Sequence, residues 1–201
     1  DAKAAGVRVA ATGNQAGSGK AGTKAASQKQ NAQSSSPDSQ ISAASRCTIG
    51  IRQAGTDRAS INRARNARAT LEKAGDAYRI DWKMLAAIGV RETNFRNIDE
   101  IKENGEGEGW GIFQLTRQPG VTHAQAHDVT FASNYAAKLL ASNRADIARR
   151  FPYFTPTQLQ QATAAAYNFG PKNIWGDPAN IDRKTTNNNY GSNVLNLMAC
   201  F

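Results

Sequence analysis

The stretch from Leu85 to Leu115, LAAIGVRETNFRNIDEIKENGEGEGWGIFQL, sets the tightest limit on what this chain can fold into. The segment Trp82 to Arg91 is apolar on nearly every side, the pattern of a helix enclosed by a domain. It ends on one carboxylate, Glu92. Leu85, Ile88 and Glu92 are spaced i, i+3, i+7 and share one helix face, so the acid stands at the end of a buried stripe. Desolvation there disfavours the charged form and raises the pKa, and a carboxyl that stays protonated near neutral pH is what a general acid needs. The competing reading is a structural carboxylate paired with Arg91, Arg96 or Lys102. A Gly/Glu-rich loop follows, Asn104-Gly105-Glu106-Gly107-Glu108-Gly109, and the chain then tightens into Trp110-Gly111-Ile112-Phe113-Gln114-Leu115. Small residues in that turn fit backbone that must pass close to a neighbour.

The remaining pattern is helical. Asp57 to Ala74 places Ile61, Ala64, Leu71, Ala74 and Tyr78 near one face, with Gly75 and Asp76 expected to weaken or end the helix. Asp81 can cap the helix that carries Glu92. Phe131 to Arg149 repeats apolar residues at Tyr135, Leu139, Leu140 and Ile147 and is broken at Phe151-Pro152. Thr155-Pro156-Thr157-Gln158 has the form of a capping box with proline in the first turn; its alanine-rich helix runs to Tyr167-Asn168 and stops at Gly170-Pro171. A last helix spans Tyr190 to Met198. With no repeat and no convincing strand pattern, the fold class is mainly α, with the Gly-rich segment as a loop or small hairpin beside a cleft. Asp99, Glu100, Glu103, Glu106 and Glu108 crowd that segment, but no spacing matches an EF-hand loop. It reads as a mobile, solvated loop without a metal. His123 and His127 are four apart and fit one helix face, yet Pro119 and Gly120 argue for a loop and no cysteine or third histidine is near, so they read as surface histidines. No cofactor is expected.

Residues 1–45 are Ala, Gly, Ser, Gln, Lys and Asn without an aromatic. Such a segment cannot bury enough apolar area to offset its ordering entropy, and reads as a disordered linker or processed segment ahead of one catalytic domain, 46–201. It carries +3 of the net charge of +9. Basic proteins meet nucleic acid, anionic membranes or anionic wall polymers; Lys and Arg are spread along this chain without an RNA-binding signature, which argues against nucleic acid. No stretch is long and apolar enough to span a membrane, and DAKAAGVRVAATGNQAG lacks the apolar run of a signal peptide. Cys47 and Cys200 bracket everything that looks folded. Their placement favours a disulfide and an oxidising compartment over two buried thiols.

Three blocks occur in order: AIGVRETNF (87–95), GWGIFQL (109–115) and AAAYNFG (164–170). Together they resemble the lysozyme-like superfamily of soluble lytic transglycosylases and goose-type lysozymes. The goose-type branch is nearer, through the Gly-rich loop before the second block, Phe151-Pro152 before a Thr-capped helix, and a tyrosine, Tyr190, in the last helix. The resemblance spans about residues 55–198. It implies that Glu92 protonates the glycosidic oxygen between N-acetylmuramic acid and N-acetylglucosamine in peptidoglycan. It also implies that Gln114, Tyr167 and Asn168 line the cleft; Tyr190 is expected to face it, and Trp110 is counted with them. The chain departs from the family pattern where an Asp usually follows the second block, because that position is Thr116. Glu106 and Glu108 stand nearest to the loop Asp of the family. An inverting hydrolase needs a second carboxylate to activate water; a lytic transglycosylase needs none, since the substrate's own 6-hydroxyl attacks. Hydrolysis is favoured on the goose-type loop, transglycosylation is the alternative, and a non-catalytic glycan-binding module is the rival outside enzymes. The expected protein is a monomer that is secreted or delivered to the bacterial periplasm. An antibacterial toxin domain blocked by a cognate immunity or inhibitor protein is one context, and a housekeeping or phage wall hydrolase is the other.

Overall fold

The computed structural model describes residues 41–101, 107–115, 118 and 120–201, and these form one compact unit. Among them are eight α-helices and one hairpin. The helices are α1 (Ala43–Ala54), α2 (Arg58–Asn66), α3 (Arg68–Tyr78), α4 (Trp82–Thr93), α5 (His123–His127), α6 (Val129–Arg150), α7 (Pro156–Phe169) and α8 (Tyr190–Met198). The antiparallel hairpin joins β1 (Asp99–Ile101) to β2 (Gly107–Trp110). Glu100 lies opposite Gly109 and Ile101 opposite Gly107, so β2 carries one extra residue, Glu108, between those partners.

Helix α4 is the axis. Every residue from Met84 to Val90 is buried, because α2, α3, α6 and α8 all pack on it. Burial of Leu85 and Ile88, both fully enclosed, is worth about 1.5–3 kcal/mol each. Asp81 caps the helix as expected, accepting the Lys83 N–H at 2.9 Å. At its far end the chain turns through two left-handed residues, Asn94 (φ 55°) and Phe95 (φ 54°). Arg63 of α2 donates to the Asn94 carbonyl at 3.0 and 2.8 Å, and the Phe95 ring packs so closely on Gly89 that a Cβ there would come within 2.7 Å of it.

The pattern expected over 57–74 is interrupted at Ala67 (φ −91°, ψ 5°), which ends α2 and starts α3. Its predicted face still holds, with Ile61, Ala64, Leu71 and Ala74 in the core. Gly75 does not end α3, which runs to Tyr78. The glycine answers a packing demand instead, since a Cβ would meet the Ile80 carbonyl at 2.4 Å. The capping box at Thr155 and the ends of α8 are as the sequence predicts. Alanines 162, 164, 165 and 166 of α7 are buried between α6 and α8.

Helix α1 was not foreseen. It starts at Ser42, whose side chain accepts the Ser45 N–H, so the expected boundary at residue 45 cuts through it; residues 1–40 lie outside the described residues. It packs along α8, where Gly50 leaves no room for a Cβ against the Leu197 backbone. Cys47 of α1 is bonded to Cys200, with Cα atoms 4.8 Å apart. The bridge spans 153 residues of sequence, and closing so long a loop stabilises by roughly 4–5 kcal/mol in the chain-entropy picture. No helix among the described residues is long and apolar enough to cross a membrane.

Candidate active site

Glu92 is the penultimate residue of α4 and opens into a groove lined also by Arg91, Arg96, Ile98, Asp99, Glu100 and Gln114. Half-buried, its carboxyl is pushed up to about 7. Desolvation is the main cause; the Tyr190 hydroxyl and Arg91 pull the other way, and the Glu100 carboxylate adds a smaller upward push. Tyr190, fully enclosed at the start of α8, donates its hydroxyl proton to Glu92 Oε1. Burial and the nearby Glu92 carboxylate hold the Tyr190 and Tyr167 hydroxyls well above their ordinary pKa, so both stay neutral donors.

None of the expected structural partners neutralises Glu92 among the described residues. Arg91 turns away and donates to the Gln53 carbonyl at 3.2 Å and to Asn189 Oδ1 at 3.2 Å, its guanidinium lying over the Tyr190 ring. Arg96 folds back on the Thr93 carbonyl at 3.2 Å. Lys102 lies outside the described residues. A partly accessible carboxyl with a raised pKa and no ion pair among the described residues is able to give up a proton to a ligand in the groove.

The second sequence block builds the groove's edge. Gly111 (φ +68°) approaches the Ala126 carbonyl so closely that a Cβ would come within 2.1 Å of it, and Gly109 packs on the Gln114 side chain. Gln114, itself left-handed (φ 49°), donates Nε2 to the carbonyls of Ile98 (3.1 Å) and Gly111 (2.8 Å). Thr93 Oγ1 joins α4 to the same turn through the Ile112 carbonyl at 3.1 Å. Tyr167 fixes the turn from α7, donating to the Phe113 carbonyl at 2.7 Å. Asn168 reaches neither Glu92 nor the turn by a hydrogen bond. Its amide oxygen accepts the Thr186 N–H at 2.9 Å, which orders the segment leading into Tyr190. Trp110 is half-buried and packs edge-on against His123, with centroids 5.4 Å apart.

Of the two loop carboxylates singled out from the sequence, Glu106 lies outside the described residues. Only the backbone of Glu108 is described. Thr116 also lies outside. Nothing in the sequence distinguishes Glu100 from its acidic neighbours; its position in the groove follows from the hairpin. The histidines lie at the surface as expected, but not on a loop: residues 123–127 form a capped helical turn, with Thr122 and Gln125 making a capping box, and Asp99 meets both rings.

A desolvated carboxylic acid set in an open groove, on a helical domain with one small hairpin, is an arrangement suited to acid catalysis. The family model for lysozyme g matches residues 19–199. The chain is 28% identical over 139 residues to lysozyme g of Takifugu rubripes, an alignment that covers 67% of this chain and 73% of that protein. The chain therefore belongs to the lysozyme g family, glycoside hydrolases with muramidase activity on peptidoglycan. Family and disulfide together fit a secreted protein.

Proposed function

We propose that this protein cleaves the β-1,4 bond between N-acetylmuramic acid and N-acetylglucosamine, with Glu92 as the general acid. The observation that carries the reading is a Glu92 carboxyl with a pKa of about 7 that is open to the groove and unpaired with any cation among the described residues. Near neutral pH a good part of it is protonated, and it can deliver that proton to the glycosidic oxygen as the bond breaks. Tyr190 holds the carboxyl in place; in the transition state its hydroxyl bond strengthens as the carboxylate forms, since hydrogen bonds to charged groups are the stronger ones. Gln114 and Tyr167 act by fixing the turn at the groove's edge, and Asn168 acts by ordering the approach to Tyr190.

The reading favours hydrolysis with inversion. Water then needs a carboxylate base about 6.5–9.5 Å from the acid, and the acidic segment of sequence before Trp110 supplies the candidates: Glu106, Glu108 and Glu100, of which Glu100 lines the groove with Glu92. Thr116, where the family pattern has an Asp, favours the second reading, a lytic transglycosylase that needs no base. An antibacterial role against a rival's wall, with a small inhibitor protein capping the groove, is the biological setting we propose. Recovery of such an inhibitor by pull-down from periplasmic extract tests it, and an extract that yields none counts against it.

Mass spectrometry of muropeptides released from purified walls decides the chemistry. Reducing ends are expected; 1,6-anhydro ends mean transglycosylation, and no release means that the protein only binds glycan. Glu92→Gln keeps the shape and removes the proton, so release should fall about 10²–10⁴-fold. Cleavage within about threefold of the parent, roughly 0.65 kcal/mol in barrier, would return Glu92 to a structural role.

A further inference from the structure

We propose that Asp99, His123 and His127 form a binding site for a divalent transition metal of the zinc class, one that joins the hairpin to α5 beside the groove. The two histidines stand one helical turn apart on α5. Their Nε2 atoms face the two oxygens of one carboxylate, His123 to Asp99 Oδ2 at 2.9 Å and His127 to Asp99 Oδ1 at 2.6 Å. One ligand atom from each residue lies within 4.8 Å of the others. Donors bound to one zinc at about 2.0–2.2 Å stand three to four ångströms apart, so small side-chain rotations bring all three onto a common ion. Two imidazoles and a carboxylate suit zinc, nickel or copper, and not the all-oxygen shells that calcium and magnesium prefer. Each ring would offer the Nε2 lone pair and carry its proton on Nδ1. With three protein ligands and an exposed rim, a further position stays open to water.

The surroundings hold the ligands in place. Asn97 Nδ2 donates to the His127 carbonyl at 2.7 Å. Trp110 of β2 packs edge-on to the His123 ring, whose centroid lies 4.4 Å from that of His127. Gly111 is pressed against the Ala126 carbonyl in the middle of α5. Asp99 precedes Glu100 on β1, and both line the groove that holds Glu92. A bound ion would thus fix the strand that presents Glu100. The site is independent of the muramidase reading, because it requires no glycan.

The test uses tag-free full-length protein, stripped with chelator and titrated with zinc chloride by calorimetry, with magnesium chloride as control. One zinc per chain and no magnesium are expected. At a free zinc concentration about a hundredfold above Kd, the melting midpoint should rise by roughly 5–10 °C. His127→Ala should weaken zinc at least about a hundredfold, since even outer-shell partners are worth 10–100-fold. His123→Gln, at a more exposed ring, gives the same reading should the His127 variant fold poorly. Absence of zinc binding below millimolar concentration, or binding unchanged in the His123 variant, overturns the proposal and leaves the three residues as a hydrogen-bonded surface cluster.

Discussion

Glu92 stands on a wall of packed helices, while Asp99 and Glu100, which line the same groove, stand on a two-stranded hairpin backed by a five-residue helix. On the first wall burial does the work. α4 is enclosed along its length, and Tyr190 reaches Glu92 from a helix that is itself held by α1, α4 and α7. Asp182, from the loop before α8, receives the Gly191 and Ser192 N–H groups and the Gln161 amide, which fixes the start of that helix. On the second wall packing comes from Trp110 on His123 and Gly111 on Ala126, and the side-chain hydrogen bonds are exposed, Asp99 to two histidines and Asn97 to a carbonyl. Surface pairs of this kind are worth little, about 0–1 kcal/mol each. The helical wall therefore sets the chemistry of its acid through burial, and the hairpin wall presents its carboxylates through surface contacts.

The largest expected contrast is in rate. The loss of at least about a hundredfold from Glu92→Gln should not be matched at the histidine cluster of the other wall. His127→Gln, assayed without added metal, should clear walls within about threefold of the parent, because substitutions at such exposed contacts cost about 0.5 kcal/mol or less. A comparable loss from both variants would show that the hairpin is as tightly coupled to the reaction as α4.

Next in size is the disulfide behind the helical wall. Cys47→Ser with Cys200→Ser frees α1 from the C-terminus and should cost about 2–5 kcal/mol, read as a fall in melting midpoint of roughly 5–15 °C. The groove residues remain, so rate at low temperature should survive. An unchanged midpoint would mean that packing on α8 and hydrogen bonds such as Asn193 to the Gly50 carbonyl and Arg91 to the Gln53 carbonyl hold α1 without the bridge.

The third effect separates the walls by pH. Folded Glu92 keeps its proton up to about 7, against an ordinary value of 4.5. The stability linked to that proton is full below 4.5 and is lost as pH rises through 7, because the folded state must then hold a desolvated charge. Glu92→Gln should thus raise stability at pH 8–9 by up to about 3 kcal/mol and change it little near pH 4. Denaturant melts at the two pH values check this. A gain that is equal at both would take the cause away from Glu92 ionisation.

Much of the helical wall was legible in the sequence, and the reason is periodicity. An all-round apolar helix ending on one acid has few places to go, and Thr155, Asp81 and the YGSNVLNLM segment announce their helices through caps and spacing. Helix α1 was illegible because its Ala, Ser and Arg composition carries little apolar signal. It is held by close backbone approach at Gly50 and by the bridge, and neither has a period. The break at Ala67 was hidden because both halves keep the same buried face. The hairpin wall was illegible for a different reason. Asp99 and the histidines are 24 and 28 residues apart, so their meeting depends on a turn, Gly111 against Ala126, that no local pattern encodes. The four-residue spacing of His123 and His127 was visible, but it was outweighed by the nearby Pro-Gly in the sequence, whereas the helix starts only at the Thr122 cap.

The smallest expected effect sharpens the comparison from inside the helical wall. The Tyr190 hydroxyl lowers the pKa of Glu92 against the upward push of burial, because its donated bond favours the charged carboxylate more than the neutral acid. Tyr190→Phe removes the bond and leaves the ring in the core. A bond to a charged group is worth about 1.5–3 kcal/mol, of which the part lost with protonation should move the pKa upward by about one unit. Activity that depends on protonated Glu92 falls off as pH rises, so the alkaline limb of the pH–rate profile should move up by about one pH unit. The maximal rate should drop only a few-fold, since the bond also steadies the carboxylate formed in the transition state. Glu100→Gln, from the hairpin wall, should move the same limb the other way and by less, with a fall in rate besides where water draws on Glu100 as its base. Its carboxylate makes the smallest of the contributions to the Glu92 shift, and its loss lowers the pKa. Opposite movements in the two variants would show that both walls act on one acid, the packed wall through a bond and the open wall through its charge. A limb that stays in place in Tyr190→Phe would mean that the acid being titrated is not Glu92.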